Sequence, residues 1–283
     1  MILCPILVLF LTGAGAQAQT RRIKILFTSA LNGNLGQCDC AAGENAGLIR
    51  RFSFIEKYRR ENRDSLLFET GDILGRNESP QTTAFLLQTY RRQGYDLVLP
   101  GEQDLSSELF RENDARLPLI GNSTAHGSVF SRIMDRGDFH IGIVGYIAPD
   151  SFRYSGVSAS NAGLTGSRAE LGQESRRLKQ RGAQLVIALV HSSLAEARAA
   201  AEFPDVDLVI GGHEDIRPSA AQKLHRGKYV LFAGREGEYA GEIVLVPGNG
   251  RWVVESERLI HIIAQNPPED PVIREFIRNL KPR

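Results

Sequence analysis

The sequence predicts an α/β fold: a mixed sheet, or two stacked sheets, with helices outside. Three observations carry this. Strand-like segments alternate with amphipathic helical segments through most of the chain. Two strands, at 183–190 and 206–210, are continuous apolar runs, the pattern of strands buried on both faces. The last third changes to closely spaced strands joined by turn residues.

In order along the chain, Arg22 to Thr28 alternates and is β-branched, so it reads as a strand. A Gly-, Asn- and Cys-rich loop follows, from Ser29 to Asn45. Ala46 to Arg60 places Leu48, Ile49, Phe52 and Ile55 on one helical face. Ser65 to Phe68 is a short strand running into Glu69-Thr70-Gly71-Asp72. Gln81 to Gln93 is helical, and Asp96 to Leu99 is a strand before Pro100-Gly101. Leu117 to Gly121 and Val129 to Met134 read as strands, and a turn at Arg136-Gly137 leads into a hairpin partner, His140 to Ile147. Pro149 to Gly166 is the longest loop. Helices follow at 168–181 and 194–201, alternating with the two buried strands. Strands at 228–232, 240–246 and 251–263 come next, with Asn249-Gly250 as a type I′ turn signal, and a helix closes the chain at 271–280.

Length and composition agree with a folded globular chain. The 283 residues carry a net charge of +1, with 42% hydrophobic and 24% charged residues. Disordered, collagen-like and multi-span membrane proteins are excluded. The balanced charge leaves no basic footprint for nucleic acid. There is no P-loop, no nucleophile-elbow serine motif and no dinucleotide fingerprint.

Residues 1–18 read as a secretory signal. Ile2 to Leu11 is almost wholly apolar, and Ala16-Gln17-Ala18 fits a small-residue cleavage site. An uncleaved anchor or a buried strand is the competing reading, but the run is short for a bilayer span. The expectation is export to the periplasm or outside the cell, with residues 19–283 forming a single domain and no transmembrane segment in the mature chain. Cys4 would leave with the signal, so the mature chain keeps only Cys38 and Cys40, too few for a disulfide framework.

Candidate chemistry gathers just after predicted strands, where layered α/β folds bind ligands. These places hold Asp72, then Glu102-Gln103-Asp104, then His191, then His213-Glu214-Asp215. A lone His or Gly-Asp there is more often structural. Four such strand ends in one chain favour a site for Zn, Mn or Fe, whose oxygen and nitrogen ligands these side chains supply.

The same blocks, in the same order, resemble the calcineurin-like metallophosphoesterases, specifically the N-terminal domain of 5′-nucleotidases. Thr28-Ser29-Ala30-Leu31-Asn32-Gly33 stands where that family has T-N-D-x-H-G. Ala46 to Arg51 resembles G-G-L-A-R-R, and Glu69-Thr70-Gly71-Asp72 resembles D-A-G-D. Gly101-Glu102-Gln103-Asp104 resembles G-N-H-E, Leu189-Val190-His191 the L-x-H strand end, and Asp207 to His213 the D-L-I-I-G-G-H block. The resemblance implies a four-layer fold of two stacked mixed sheets flanked by helices. It implies a phosphate-ester hydrolase acting through two metal ions on a small phosphate-containing ligand.

Carried over residue by residue, Asp72 is the bridging carboxylate, and Glu102, His191 and His213 complete one site. The other site has departed from the pattern: Ala30 replaces its Asp, Asn32 its His and Asp215 its final His. Gln103 replaces the catalytic His and cannot donate a proton to a leaving group. The resemblance therefore implies one divalent ion, two at most, with Asn32 and Asp215 as weak remnants of the second site. Cys38 and Cys40 lie in the first loop, as in an exported subgroup of 5′-nucleotidase-like (seleno)proteins. A local disulfide, a redox pair and replacement metal ligands are the three readings of the pair, the first two ahead of the third. The rival to a hydrolase is a non-catalytic metal-binding or thiol-redox protein. The expectation is that this one domain fills the given chain and leaves no room in it for the nucleoside-binding domain of full-length 5′-nucleotidases.

Overall fold

The computed structural model describes residues 21–36, 46–113, 117–124, 128–214, 222–224 and 227–280. The predicted 1–18 segment, Cys38, Cys40 and Asp215 lie outside these residues.

Two mixed sheets form. The first joins β11 (Trp252–His261), β10 (Tyr239–Pro247), β1 (Ile23–Thr28), β2 (Leu66–Glu69) and β3 (Leu97–Val98) in that spatial order. The second joins β4 (Ser131–Arg136), β5 (Phe139–Ile147), β6 (Leu185–Ser192), β7 (Leu208–His213), β9 (Tyr229–Phe232) and β8 (Gln222–Lys223). β1, β2 and β3 run parallel, as do β5, β6, β7 and β9; the other pairings are antiparallel.

The strand pattern explains the stacking. Along β6, Leu185, Ile187 and Leu189 share a buried cluster with Ile25, Phe27 and Phe68 of the first sheet. The alternate residues, Val186, Ala188 and Val190, pack instead with Leu171 and Leu178 of α5 (Arg168–Gln180) and Ala197 and Ala200 of α6 (Leu194–Ala201). Side chains alternate across a strand, so a doubly apolar strand must be covered on both faces. The first sheet is covered by α1 (Gly47–Glu61) and α2 (Pro80–Gln93), whose Leu48, Phe52, Ile55, Leu86 and Leu87 are buried. α2 has clear end signals: Ser79 accepts a hydrogen bond from Thr82 N, Pro80 opens the first turn, and Gly94 ends it at φ +65°.

Several expectations are corrected. Two short helices, α3 (Glu102–Ser106) and α4 (Glu108–Asn113), fill a stretch read without structure. Leu119, Ile120 and Val129 make only isolated bridges, and Pro149–Tyr154 in the long loop is a 3₁₀ turn. The β10–β11 hairpin forms with Gly250 at φ +73°, but Asn249 is not left-handed, so the turn is not type I′. α7 (Pro271–Leu280) closes the fold by stacking Phe276 on Phe85 of α2.

The Arg50-Arg51 cluster reads as a solvated helix face, and Arg51 is the opposite. Its side chain is fully buried, donates to the Tyr90 hydroxyl and lies 3.7 Å from the buried Glu69 carboxylate. Glu69 also accepts from Thr28 Oγ1 at 2.8 Å and Tyr90 OH at 3.1 Å. A buried charge needs such partners. Asn122, within an Asn-Ser-Thr glycosylation pattern, is buried, with both ends of its amide bonded to the Ile147 backbone.

Candidate metal centre

The site forms where the carboxyl ends of parallel strands from both sheets meet. β2 delivers Asp72, β3 delivers Glu102, β6 carries His191 as its penultimate residue and β7 ends in His213. His191 continues the side of β6 that faces the first sheet. His213 would point the other way by strand alternation, but its φ of +83° breaks the alternation and turns it to the site. Asp72 is also left-handed, at φ +58°, as are Ala30 (+44°) and Asn32 (+53°) in the loop after β1. Such backbone costs of order 1–3 kcal/mol per residue and concentrates at functional sites.

The loops are tied to one another. Ala30 N donates to Gly71 O at 2.8 Å, Asn32 N to Asp72 O at 2.8 Å and Gly33 N to Ile73 O at 3.0 Å. Three glycines allow the close approach. A Cβ at Gly101 would collide with the Asp72 carboxylate, one at Gly71 with the His191 ring, and one at Gly212 with the Thr70 carbonyl.

One potential ligand atom from each of Asp72, Glu102, His191 and His213 lies within 4.8 Å of the others. His191 is fully buried, Asp72 and Glu102 nearly so, and His213 is part-exposed. His191 Nδ1 donates to Thr70 O at 2.8 Å, because a carbonyl can only accept. Its Nε2 then faces the carboxylates, 2.6 Å from Glu102 Oε2 and 3.5 Å from Asp72 Oδ2. His213 Nδ1 lies 3.1 Å from the same Glu102 oxygen.

The electrostatics follow from burial and partners. Burial pulls the His191 imidazole down, but the Asp72 charge and the Glu102 hydrogen bond outweigh it and raise it to about 10. Burial would raise Glu102, yet its bonds to His191 and His213 hold it well below the usual carboxylate range. Burial pushes the Asp72 carboxyl up to about 6, with Glu102 adding to the rise and His191 opposing it. Glu102 therefore keeps its charge, and Asp72 is the carboxylate nearer protonation.

The donor set fits a divalent cation. Two carboxylates and two imidazoles suit Zn, Mn or Fe. Thr70 fixes the His191 tautomer so that Nε2 is the free ligand position, the outer-shell arrangement found at metal-binding histidines. The structure thus brings together four residues singled out from the sequence. Gln103 lies beside them: its backbone N donates to Asp72 Oδ1 at 3.2 Å, while its side-chain Nε2 is turned to Asn32 Oδ1 at 2.9 Å. Ala30 is buried and has no donor to offer.

Comparison with known structures bears on the fold. The calcineurin-like phosphoesterase YfkN of Bacillus subtilis superposes with a TM-score of 0.72 over 92% of this chain and 96% of its own, at 18% identity. The fold is that of the calcineurin-like phosphoesterases. A 5′-nucleotidase precursor from Thermus thermophilus gives a TM-score of 0.76 at 16% identity, covering 92% of this chain. The sulfate thiohydrolase SoxB of Thermus thermophilus gives 0.73 at 14% identity, covering 91%. The chain spans 58% and 60% of the length of those two proteins. No family profile and no curated protein matches the chain. Among the described residues, no helix is long and apolar enough to cross a membrane.

Sequence reasoning gave no separate role to Asp104 and missed the buried Arg51–Glu69 pair. A signal for Asp104 was present, since an acid three residues after Gly101 fits a helix start. Nothing local marked Arg51 as buried.

Proposed function

We propose that the protein holds one divalent cation, Zn, Mn or Fe, through Asp72, Glu102, His191 and His213, and presents it to a small phosphate-containing ligand as a slow phosphoric-ester hydrolase. The convergence of these four side chains supports the reading. Bound there, a divalent cation would supply Lewis-acid polarisation of a phosphoryl oxygen. His191 is oriented for this by Thr70, and Glu102 stays ionised to share the cation's charge. Asp72, on its left-handed turn, projects its carboxylate between the two histidines and Gln103.

Gln103 has no proton to give a leaving group, and its amide is engaged with Asn32. The general-acid contribution, typically 10²–10⁴-fold, is therefore missing. With Ala30 and Asn32 in place of the family's Asp and His, the second ion is lost or weakly held. Turnover should lie orders of magnitude below that of a two-ion enzyme. The Gln103–Asn32 bond equally favours a second reading, a metal-binding protein without turnover, in which Cys38 and Cys40 serve as a redox pair. Export through residues 1–18, a single domain over 19–283 and kinship with the exported 5′-nucleotidase-like subgroup belong to the same proposal.

Purified mature protein should carry near one equivalent of metal, lost in His213→Ala. Finding no metal after incubation with Zn, Mn and Fe overturns the proposal. Hydrolysis of p-nitrophenyl phosphate or a nucleotide that Asp72→Ala abolishes supports the enzyme. A metal-loaded protein inert on that panel supports the second reading.

A further inference from the structure

The two loops that carry Asp72 and Glu102 leave adjacent parallel strands, β2 and β3, and share one acceptor. Asp104 Oδ2 accepts from Gly101 N at 2.8 Å and Ile73 N at 3.3 Å, and Oδ1 accepts from Leu74 N at 2.9 Å. Asp104 is fully buried. Ile73 follows Asp72 directly and Gly101 precedes Glu102 directly, so the bonded amides flank both ligand candidates. The cross-tie runs the other way as well, since Asp72 Oδ1 accepts from Gln103 N.

We propose that Asp104 is a positioning residue that locks the Asp72 and Glu102 loops into one ligand geometry; this rests on the reading that those two side chains hold the ion. Asp72 sits in a left-handed conformation that its own chain disfavours, so something outside its turn must hold it. Its carboxyl group does so with two oxygens and three donors. An Asn of the same shape offers one oxygen, and its NH₂ would face at least one of the three N–H groups. These bonds go to backbone amides of the two loops and not to a candidate ligand's side chain. It acts through the loops.

The test is titration with Co²⁺, followed by visible absorption, in wild type, Asp104→Asn and Leu178→Ala. Leu178 is buried between α5 and the outer face of the second sheet and serves as a control for lost stability alone. Asp104→Asn should weaken Co²⁺ binding about 10–100-fold, the usual effect of losing an outer-shell partner, and change the spectrum. Leu178→Ala should lower stability and leave both unchanged. Binding within twofold of wild type and an unaltered spectrum in Asp104→Asn overturn the proposal. Amide exchange in chelator-treated protein gives a readout that needs no metal. The Ile73, Leu74 and Gly101 amides should exchange faster in Asp104→Asn than in Leu178→Ala, and equal rates overturn the clamp. If wild type binds no Co²⁺, the ion reading fails by itself and the exchange rates alone decide the clamp. Should Asp104→Asn not fold, Asp104→Glu carries the same measurements, with a several-fold loss expected from its longer reach.

Discussion

His191 and Glu102 are bound to each other inside the fold, Nε2 to Oε2 at 2.6 Å, while Nδ1 of the same ring is committed to the Thr70 carbonyl. The ring joins the end of β6 in one sheet to the loop after β2 in the other. Its one exchangeable position faces two carboxylates. A cation held there would take the place of the Nε2 proton.

Replacing His191 or His213 by Ala should therefore weaken divalent-ion binding by at least 100-fold, about 2.8 kcal/mol at 1.4 kcal/mol per tenfold. Calorimetric titration with Zn²⁺ or Mn²⁺ reads this directly. An affinity within threefold of wild type for both variants would remove these rings from the site.

Metal binding should release about one proton per ion near pH 7, and that proton is the one on His191. With the imidazole raised to about 10, the metal-free ring is protonated at neutral pH and must give up Nε2–H to ligate. Apparent affinity should rise close to tenfold per pH unit above neutrality and level off near pH 10. Titrations in buffers of differing ionisation enthalpy count the proton. In the metal-free protein the sign for stability is the reverse. A raised folded-state value means that the stabilisation is fully present below the unfolded value of about 6.5. It is then lost as pH rises through about 10. Chelator-treated protein should accordingly denature more easily at pH 10 than at pH 6.5, and Glu102→Gln should flatten that difference.

The strand and helix order was legible because each buried strand had to be apolar on both faces and each covering helix on one. The four convergent side chains were legible because each lies at or just after the carboxyl end of a strand. The short α3 and α4 were not, since five and six residues show too little of a helical period to be recognised. Arg51 was misread because charge dominates a sequence pattern. Its burial depends on Glu69 and Tyr90, which are distant in sequence and meet it only in the fold. The left-handed turn of His213 was equally hidden, because a non-glycine at φ +83° has no sequence signature.

Arg51→Met alone should destabilise the protein by about 3–5 kcal/mol, because it strands the Glu69 carboxylate in a fully buried place. Arg51→Met combined with Glu69→Leu should recover most of that loss, since an apolar pair needs no partner. Urea denaturation of the two single variants and the double variant measures the coupling. Additive losses would mean that the pair does not act as a unit.

Gly212→Ala should disturb the seam between the sheets. Its Cβ would meet the Thr70 carbonyl, the acceptor that orients His191. Overpacking of this kind costs about 1–3 kcal/mol. Because the displaced group is the one that fixes the His191 tautomer, ion affinity should fall as well. Gly182→Ala, at a left-handed glycine with open space around it, separates the two effects. It should lower stability through its backbone alone and leave ion binding intact. Parallel denaturation and metal titration of both variants make the comparison.

The departures that the resemblance implies at Ala30, Asn32 and Gln103 can be reversed as a set. Ala30 and Asn32 sit at φ +44° and +53°, and Asp tolerates that region better than Ala does, so Ala30→Asp relieves backbone strain while adding a carboxylate. Asn32→His and Gln103→His remove the amide pair that now joins the two side chains at 2.9 Å. They replace it with two imidazoles, one able to bind a cation and the other able to donate a proton. A second ion would then have Ala30→Asp, Asn32→His and the shared Asp72 as ligands. The triple variant should bind closer to two equivalents of metal. It should hydrolyse p-nitrophenyl phosphate about 10²–10⁴-fold faster than wild type, the range that general acid catalysis supplies. Adding Asp72→Ala to the triple variant should abolish the gain. A triple variant that binds two ions and gains no activity would place the missing function elsewhere than in these three residues.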